Sequence, residues 1–538
     1  MKKTFLFLFL ISGFVGFSQV EDAWVYFKDK PNSQTYFSSP LLMLTQRALD
    51  RRSTQTIALD SKDIPVEQSY INDIKAVVGI TVMAKSKWLN SIHIRGTQAL
   101  INSLKTKLFV NQVDFANKTL NQTGKKAQLT ETKKVNKTLE TQIVYPYGTS
   151  ANQIQMLNGH LLHQQNYTGT GKIIAVLDAG FPGVNTLQPF QKLITNNQIL
   201  GGYDFVSRNS NFYTGGSHGT SVLSTMGGYT GNNLVGTAPE AKYYLFITED
   251  VPNENPVEES LWVEAAERAD SLGVDIINSS LGYFEFDNTA YNHTYSEMNG
   301  LTTFISRGAE IAFSRGMIVV SSAGNSGGSI NPHIAAPADA VNVLAIGAVK
   351  ADETYAAFSS IGPSFDGRIK PDIMAQGNPA IVSNEFGNIV SGNGTSYSSP
   401  IMAGMLACLW QAFPSKTNIQ IRQLILESAD RFTNPNAQFG YGIPDFSLAL
   451  SNGLSVDSFS KNDIVIYPNP TEDIISVTFP EGLDKGTISI YTVLGQKVLE
   501  RKITTQSPTI SMKSLSNGVY LYKMESEGFS KSGKIVKQ

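Results

Sequence analysis

The chain has 538 residues, 41% of them hydrophobic, and a formal net charge of −2. That length allows several domains with sizeable cores, and the near-neutral balance excludes the broad basic face that nucleic acid would need. Cys408 is the only cysteine, so no intrachain disulfide contributes; within MAGMLACLW it reads as a buried structural thiol.

The chain begins MKKTFLFLFLISGFVGFSQ, with Lys2 and Lys3 before an apolar run and Gly16 and Ser18 forming a small-residue cleavage pattern. The run is short for a bilayer span, so residues 1–18 read as an export signal removed after Ser18, and the mature chain is expected to have no transmembrane segment. From 19 to 116 the chain reads as a small mixed α+β unit. GITVMAKSKWLNSIHIRG holds two strand-like runs, TQALINSLKTKL a helix pattern and FVNQVDF another strand. Residues 117–150 are rich in Lys, Thr, Asn and Gln with few large apolar groups, the composition of a soft, protease-accessible linker.

Between about 151 and 452 strands and helices alternate. KIIAVLDAG, AKYYLFIT, VDIINSSLG, GMIVVSSAGN and NVLAIGAV have buried-strand character, with helical patterns such as EESLWVEAAERADSLG between them. The alternation predicts a mostly parallel sheet with helices on both faces, and sites in such sheets form beyond the carboxyl ends of the strands. After about residue 459 the pattern becomes alternating strands broken by Pro, Gly and Asn, which predicts a small antiparallel sandwich over 459–538.

Four positions carry chemistry. NGTSYSSP runs straight into IMAGMLACLW, placing Ser396 where helix N–H groups are unpaired and a developing negative charge is stabilised. A helix cap is the plain alternative for that serine. Asp178 ends KIIAVLDAG, where a carboxylate at the end of a buried strand needs a partner. His218 stands in GGSHGTSVLSTMGG, and Asn325 ends GMIVVSSAGN with an amide able to donate. Each alone is an ordinary turn, loop or cap residue. Together they supply a carboxylate, a base, an amide donor and a nucleophile at strand ends and helix starts, with the Asp, His and Ser in subtilisin order.

YTGTGKIIAVLDAGF, GSHGTSVLSTMGG, LVGTAPEAKYY, VDIINSSLG, VVSSAGNSG, AFSSIGP, IKPDIMAQG and NGTSYSSPIMAG follow one another as in the subtilisin-like serine peptidases, which this region resembles. The resemblance implies Asp178, His218 and Ser396 as a catalytic triad and Asn325 in the oxyanion hole. It also implies Ser280, Leu281 and Gly282 as a peptide-binding segment and Gly324 in the pocket for the residue before the scissile bond. Ala179 and Tyr397-Ser398 depart from the family's usual Ser or Thr and Met-Ala.

The unit before the linker resembles the family's inhibitory propeptides. The last segment, with YPNP (467–470), ISIYTVLGQKV (488–498), LSNGVYLYKM (515–524) and GKIVKQ (533–538), resembles the C-terminal sorting domain of bacterial type IX secretion. Together these imply a secreted or surface-attached serine endopeptidase made as a zymogen, exported across both membranes. Its partners would be polypeptide substrates, its own propeptide and the secretion machinery, and its chemistry requires no cofactor. Structural calcium occurs in the family, but no acidic loop marks its place here. Two rival readings are a noncatalytic surface protein that keeps the fold for binding, and a peptidase of narrow specificity that processes one partner. His160 and His163 share a helical spacing that could hold metal, but no third ligand joins them, and a solvated face is the expected setting. An acidic pocket for Lys or Arg is not evident, which suggests apolar or broad side-chain preference.

Overall fold

A computed structural model describes residues 19–121, 145–454, 465–467, 471–479, 484–492, 495–505, 507–526 and 529–538. The signal segment, the middle of the linker and most of YPNP lie outside the described residues. The chain forms two compact units that divide between Gly453 and Leu454.

The first unit is built on seven parallel strands. β5 (Ile173–Asp178), β6 (Ile199–Asp204), β7 (Lys242–Ile247), β8 (Ile276–Ser279), β9 (Ile318–Ser322), β10 (Leu344–Lys350) and β11 (Ile373–Asn378) stand in the order β11-β10-β9-β8-β5-β7-β6. All six residues of β5 are buried. Ile174 and Val176 face one core, and Ile173, Ala175 and Leu177 face the other. A strand buried on both faces has no polar alternation, which is why IIAVLD reads as a continuous apolar run. Helices His218–Gly227 and Thr395–Ala412 share the first core, while Val257–Leu272 and Phe304–Ser314 share the second. From β5 the chain moves outward to β6, returns through β7, and then crosses to β8 on the other side of β5. The sheet therefore has its switch point between β5 and β8, where a crevice opens at the carboxyl edge.

The N-terminal segment packs on the helices of the second core. Its four-stranded antiparallel sheet consists of β1 (Val20–Phe27), β2 (Thr81–Ser86), β3 (Ser91–Thr97) and β4 (Val110–Phe115), in the order β2-β3-β1-β4. Trp24 stacks on Phe304 and donates from its indole to Ser260 Oγ at 2.8 Å. Glu267 accepts bonds from the Ser86 hydroxyl and the Lys87 and Trp88 amides at 2.6–2.9 Å, and burial pushes its carboxyl up to about 7. Between β1 and β2 a strap carries the helix Gln46–Thr54, whose Arg51 and Arg52 close on buried Asp270 at 2.5 and 2.7 Å. Gln55 then reaches the Asn418 amide. Neither β1 nor this strap is evident in the sequence pattern. The ends of the 117–150 stretch are packed, with Lys118 on Glu297 at 2.8 Å and Tyr147 buried in the first core.

The second unit has two antiparallel sheets sharing one core. Strands Val465–Tyr467, Ile474–Thr478 and Thr509–Ser511 form one sheet; Lys485–Thr492, Lys497–Thr504, Gly518–Ser526 and Phe529–Lys537 form the other. Ile475, Val477, Ile488, Ile490, Tyr520 and Tyr522 meet between them. Among the described residues no helix is long and apolar enough to cross a membrane.

Candidate active site

Asp178 is the last residue of β5, fully buried, and its carbonyl accepts from Thr248 at the end of neighbouring β7. His218 is the first residue of its helix, and its Nδ1 lies 2.7 Å from Asp178 Oδ1. The chain between them returns tightly, for a Cβ on Gly219 would lie 2.5 Å from the Gly180 carbonyl and 3.0 Å from Asp178 Cβ. Asp178 Oδ1 also accepts from the Ala179 amide at 2.8 Å. Its Oδ2 is buried without a partner among the described residues, beside a residue whose side chain, as alanine, has no hydroxyl to offer. The negative charge of Asp178 raises the His218 pKa above the ordinary 6.5, against the opposing effect of burial.

Ser396 is the second residue of the helix Thr395–Ala412. Its hydroxyl donates to the Ser280 carbonyl at 3.3 Å, and Ser280 Oγ donates back to the Ser396 carbonyl at 2.9 Å. Asn278 accepts from Ser399 at 3.1 Å, so the end of β8 is tied twice to the first turn of this helix. The His218 and Tyr397 rings lie 6.3 Å apart, which places the bulkier Tyr397 beside the imidazole.

Asn325 acts through both ends of its amide. Its Oδ1 accepts from the Thr395 amide and hydroxyl, each at 2.9 Å, which caps the helix from a distant loop. Its Nδ2 is left without an acceptor among the described residues. A Cβ on Gly394, whose φ is +153°, would stand 3.6 Å from both Asn325 Nδ2 and the Ser396 amide. Glycine leaves unfilled this position close to both nitrogens. Ser280, Leu281, Gly282, Gly324, Asn325, Ala335, Thr395 and Ser396 line one cleft of about 830 Å³.

The structure brings every expected site residue to this edge and adds others. Glu254 and Glu285 line the cleft, so carboxylates are present where none was expected. They went unnoticed because they stand on irregular loops with no periodic pattern. Thr395 and Asn278 could have been suspected from their places beside the motifs. His163 corrects a sequence expectation: it lies in the core instead of on a solvated face, between the Tyr147 hydroxyl and the Thr237 carbonyl at 2.8 and 2.9 Å. Burial lowers its pKa to about 4. Among the described residues no three His, Cys, Asp or Glu side chains are grouped to hold a metal ion. Cys408 is buried beside the Thr237 carbonyl, and burial raises its thiol pKa far above the ordinary range.

A parallel sheet with this crevice at its switch point, covered on one helical face by a small α+β unit, is the architecture of a subtilisin-like hydrolase. Residues 169–442 match the model of the subtilase family, residues 22–134 the peptidase S8 propeptide domain of Bacteroidota, and residues 465–538 the secretion system C-terminal sorting domain. Similar curated proteins include subtilisin NAT of Bacillus subtilis subsp. natto, 30% identical over 55% of this chain and 69% of that protein. Subtilisin of Bacillus pumilus is 30% identical over 55% of this chain and 96% of its own. The chain belongs to the subtilase family and is a serine endopeptidase that carries a propeptide and a type IX sorting domain.

Proposed function

We propose that the chain hydrolyses internal peptide bonds with Ser396 as nucleophile, His218 as general base and acid, and Asp178 as the carboxylate that orients the imidazole. The observation that carries this reading is the open space shared by Asn325 Nδ2 and the Ser396 amide, beside a histidine held 2.7 Å from a buried aspartate. An extended substrate lies along Ser280–Gly282, with the side chain before the scissile bond towards Gly324. On its arrival the Ser396 hydroxyl turns from the Ser280 carbonyl to His218 Nε2. The freed carbonyl then accepts a substrate N–H.

Attack of Ser396 Oγ on the scissile carbonyl passes its proton to His218, and the two donors hold the oxyanion. Asp178 stabilises the imidazolium and keeps its own negative charge. His218 protonates the leaving amine, and water, deprotonated by the same histidine, releases the acyl group from Ser396. The N-terminal unit acts as fold-assisting inhibitor and the 117–150 stretch as the processing linker, so the precursor is a zymogen. The C-terminal unit directs export across the outer membrane to the medium or the cell surface.

Mass spectrometry of the 19–538 chain with a fluorophosphonate probe tests this reading. An adduct on Ser396, with linker cleavage that the probe and S396A both suppress, is expected. Linker cleavage in S396A purified free of other proteases, or label elsewhere in the wild type, overturns the assignment.

A further inference from the structure

Tyr283 follows directly on the candidate peptide-binding segment Ser280–Gly282 and is 2% exposed. Its backbone pairs with Ala336 on the facing loop, through Tyr283 N to Ala336 O at 2.8 Å and Ala336 N to Tyr283 O at 3.3 Å. Ala335, beside that bridge, lines the cleft opposite Gly282, where a Cβ on Gly282 would meet the Ala335 methyl at 3.4 Å. One residue therefore joins two walls of the substrate cleft.

The far end of the same side chain crosses to the catalytic strand pair. A buried tyrosine hydroxyl needs a partner, and Tyr283 Oη donates to Glu249 Oε1 at 2.5 Å. The Thr248 hydroxyl donates to the same oxygen at 2.9 Å. Thr248 and Glu249 continue β7 beyond Ile247, which stands opposite Asp178 in the ladder, and the Thr248 amide donates to the Asp178 carbonyl at 3.1 Å. An unbroken series of bonds thus runs from the backbone of the catalytic carboxylate, through Thr248, Glu249 and Tyr283, to both walls of the cleft. Glu249 takes no part in the proton transfers described above. Burial pushes its carboxyl up to about 7 and the hydrogen bonds from Tyr283 and Thr248 oppose that rise, while Glu254 and Asp178 are the acidic groups that add to it.

We propose that Glu249 is a positioning residue for peptide binding: by holding the Tyr283 hydroxyl it sets the distance between the peptide-binding segment and the strand end that carries Asp178. The proposal rests on the cleft being the substrate site. Its effect falls on substrates long enough to lie along Ser280–Gly282, because a small ester needs only the nucleophile, the base and the oxyanion donors. Removing the acceptor or the hydroxyl weakens extended peptides roughly tenfold, the size of one lost hydrogen bond. The glutamine variant retains an oxygen that accepts from Tyr283.

The test compares the processed full-length chain with E249A, Y283F and E249Q on an extended tetrapeptide anilide and on p-nitrophenyl acetate. The expected result is a KM for the anilide raised roughly tenfold in E249A and Y283F, with kcat for the anilide and ester turnover within about twofold of wild type. E249Q is expected to restore the wild-type KM. Equal losses on ester and anilide, an unchanged KM, or an E249Q that matches E249A would each overturn the proposal. Calorimetric binding of the same peptide to S396A and to S396A/E249A, each first cut in the linker by an added protease and freed of the N-terminal unit, separates this inference from the catalytic one. A tenfold weaker affinity in the double variant supports positioning even if Ser396 proves not to be the nucleophile, and equal affinities overturn it.

Discussion

At the cleft the functional groups are short and partly unpaired, whereas under the N-terminal unit they are long, charged and closed on one another. Ser280, Asn325, Thr395 and Ser396 hold each other through bonds of 2.9–3.3 Å, and Asn325 Nδ2 has no acceptor among the described residues. Around the N-terminal unit, Arg51 and Arg52 close on Asp270, Lys118 on Glu297 and three donors on Glu267, although Arg51 Nε and Arg52 Nε and Nη1 are buried without a partner among the described residues. The difference follows from what each region must do. A catalytic edge has to keep donors ready for a charge that exists only during reaction. A surface that holds a propeptide is completed by that propeptide, and exposing it again leaves its carboxylates without their cations.

The comparison can be broken most severely at Asp178. D178N removes the charge that raises His218, so the histidine pKa falls and the acid limb of the rate profile moves to lower pH. The imidazole also loses the carboxylate that selects its tautomer, and kcat is expected to drop about 10⁴-fold. A pH–rate series on wild type and D178N reads both effects, and an acid limb that stays in place contradicts the role given to Asp178.

The paired region is tested by R51A/R52A. Asp270 is then buried under the N-terminal unit without its guanidinium partners, a cost of about 3–5 kcal/mol. The cut N-terminal unit should leave the catalytic unit several-hundred-fold more readily, as followed by size exclusion and by the rise of activity after linker cleavage. Unchanged co-elution would mean that the sheet contacts around Trp24 and Glu267 hold the unit without the strap.

N325A takes one donor from the open pair. Its expected cost is about 10²–10³ in kcat, the range known for losing the corresponding donor in a subtilisin, with KM little changed. A loss confined to KM would assign Asn325 to ground-state binding.

The smallest effect concerns Glu254 and Glu285 on the cleft wall. Lysine in the residues preceding the scissile bond should improve kcat/KM by up to about fivefold, as exposed ion pairs allow, with the gain fading as salt is raised. The 117–150 stretch has Lys125, Lys126, Lys133, Lys134 and Lys137 to offer. E254Q/E285Q should abolish the gain, as a peptide panel at two salt concentrations would show.

Much of the site is legible in the sequence because its residues stand where pattern changes. Asp178 ends an apolar run, Asn325 ends another before Ser-Gly-Gly, and Ser396 opens a long apolar helix. Strands buried on both faces and helices between them announce the parallel sheet for the same physical reason: continuous burial leaves no alternation. β1 escapes notice because it mixes Glu21 and Asp22 with apolar residues. Those two acids are buried only because Tyr291, His93 and Arg95 reach them across the fold. The strap carrying Arg51 and Arg52 reads as a polar surface helix until Asp270 is seen beneath it, more than two hundred residues further along the chain. His163 reads as a solvated residue until Tyr147 and Thr237 are seen to enclose it.

The sequence by itself therefore determined the order of the elements, the class of fold and the chemical types gathered at the catalytic edge, because periodicity and turn chemistry are local properties. Only the tertiary structure decided which buried charges meet and how the cleft walls are braced through Tyr283 and Glu249. It also decided that Asp178 retains an oxygen without a partner among the described residues. These are contacts between residues far apart in the chain, and no local pattern encodes the distance between them.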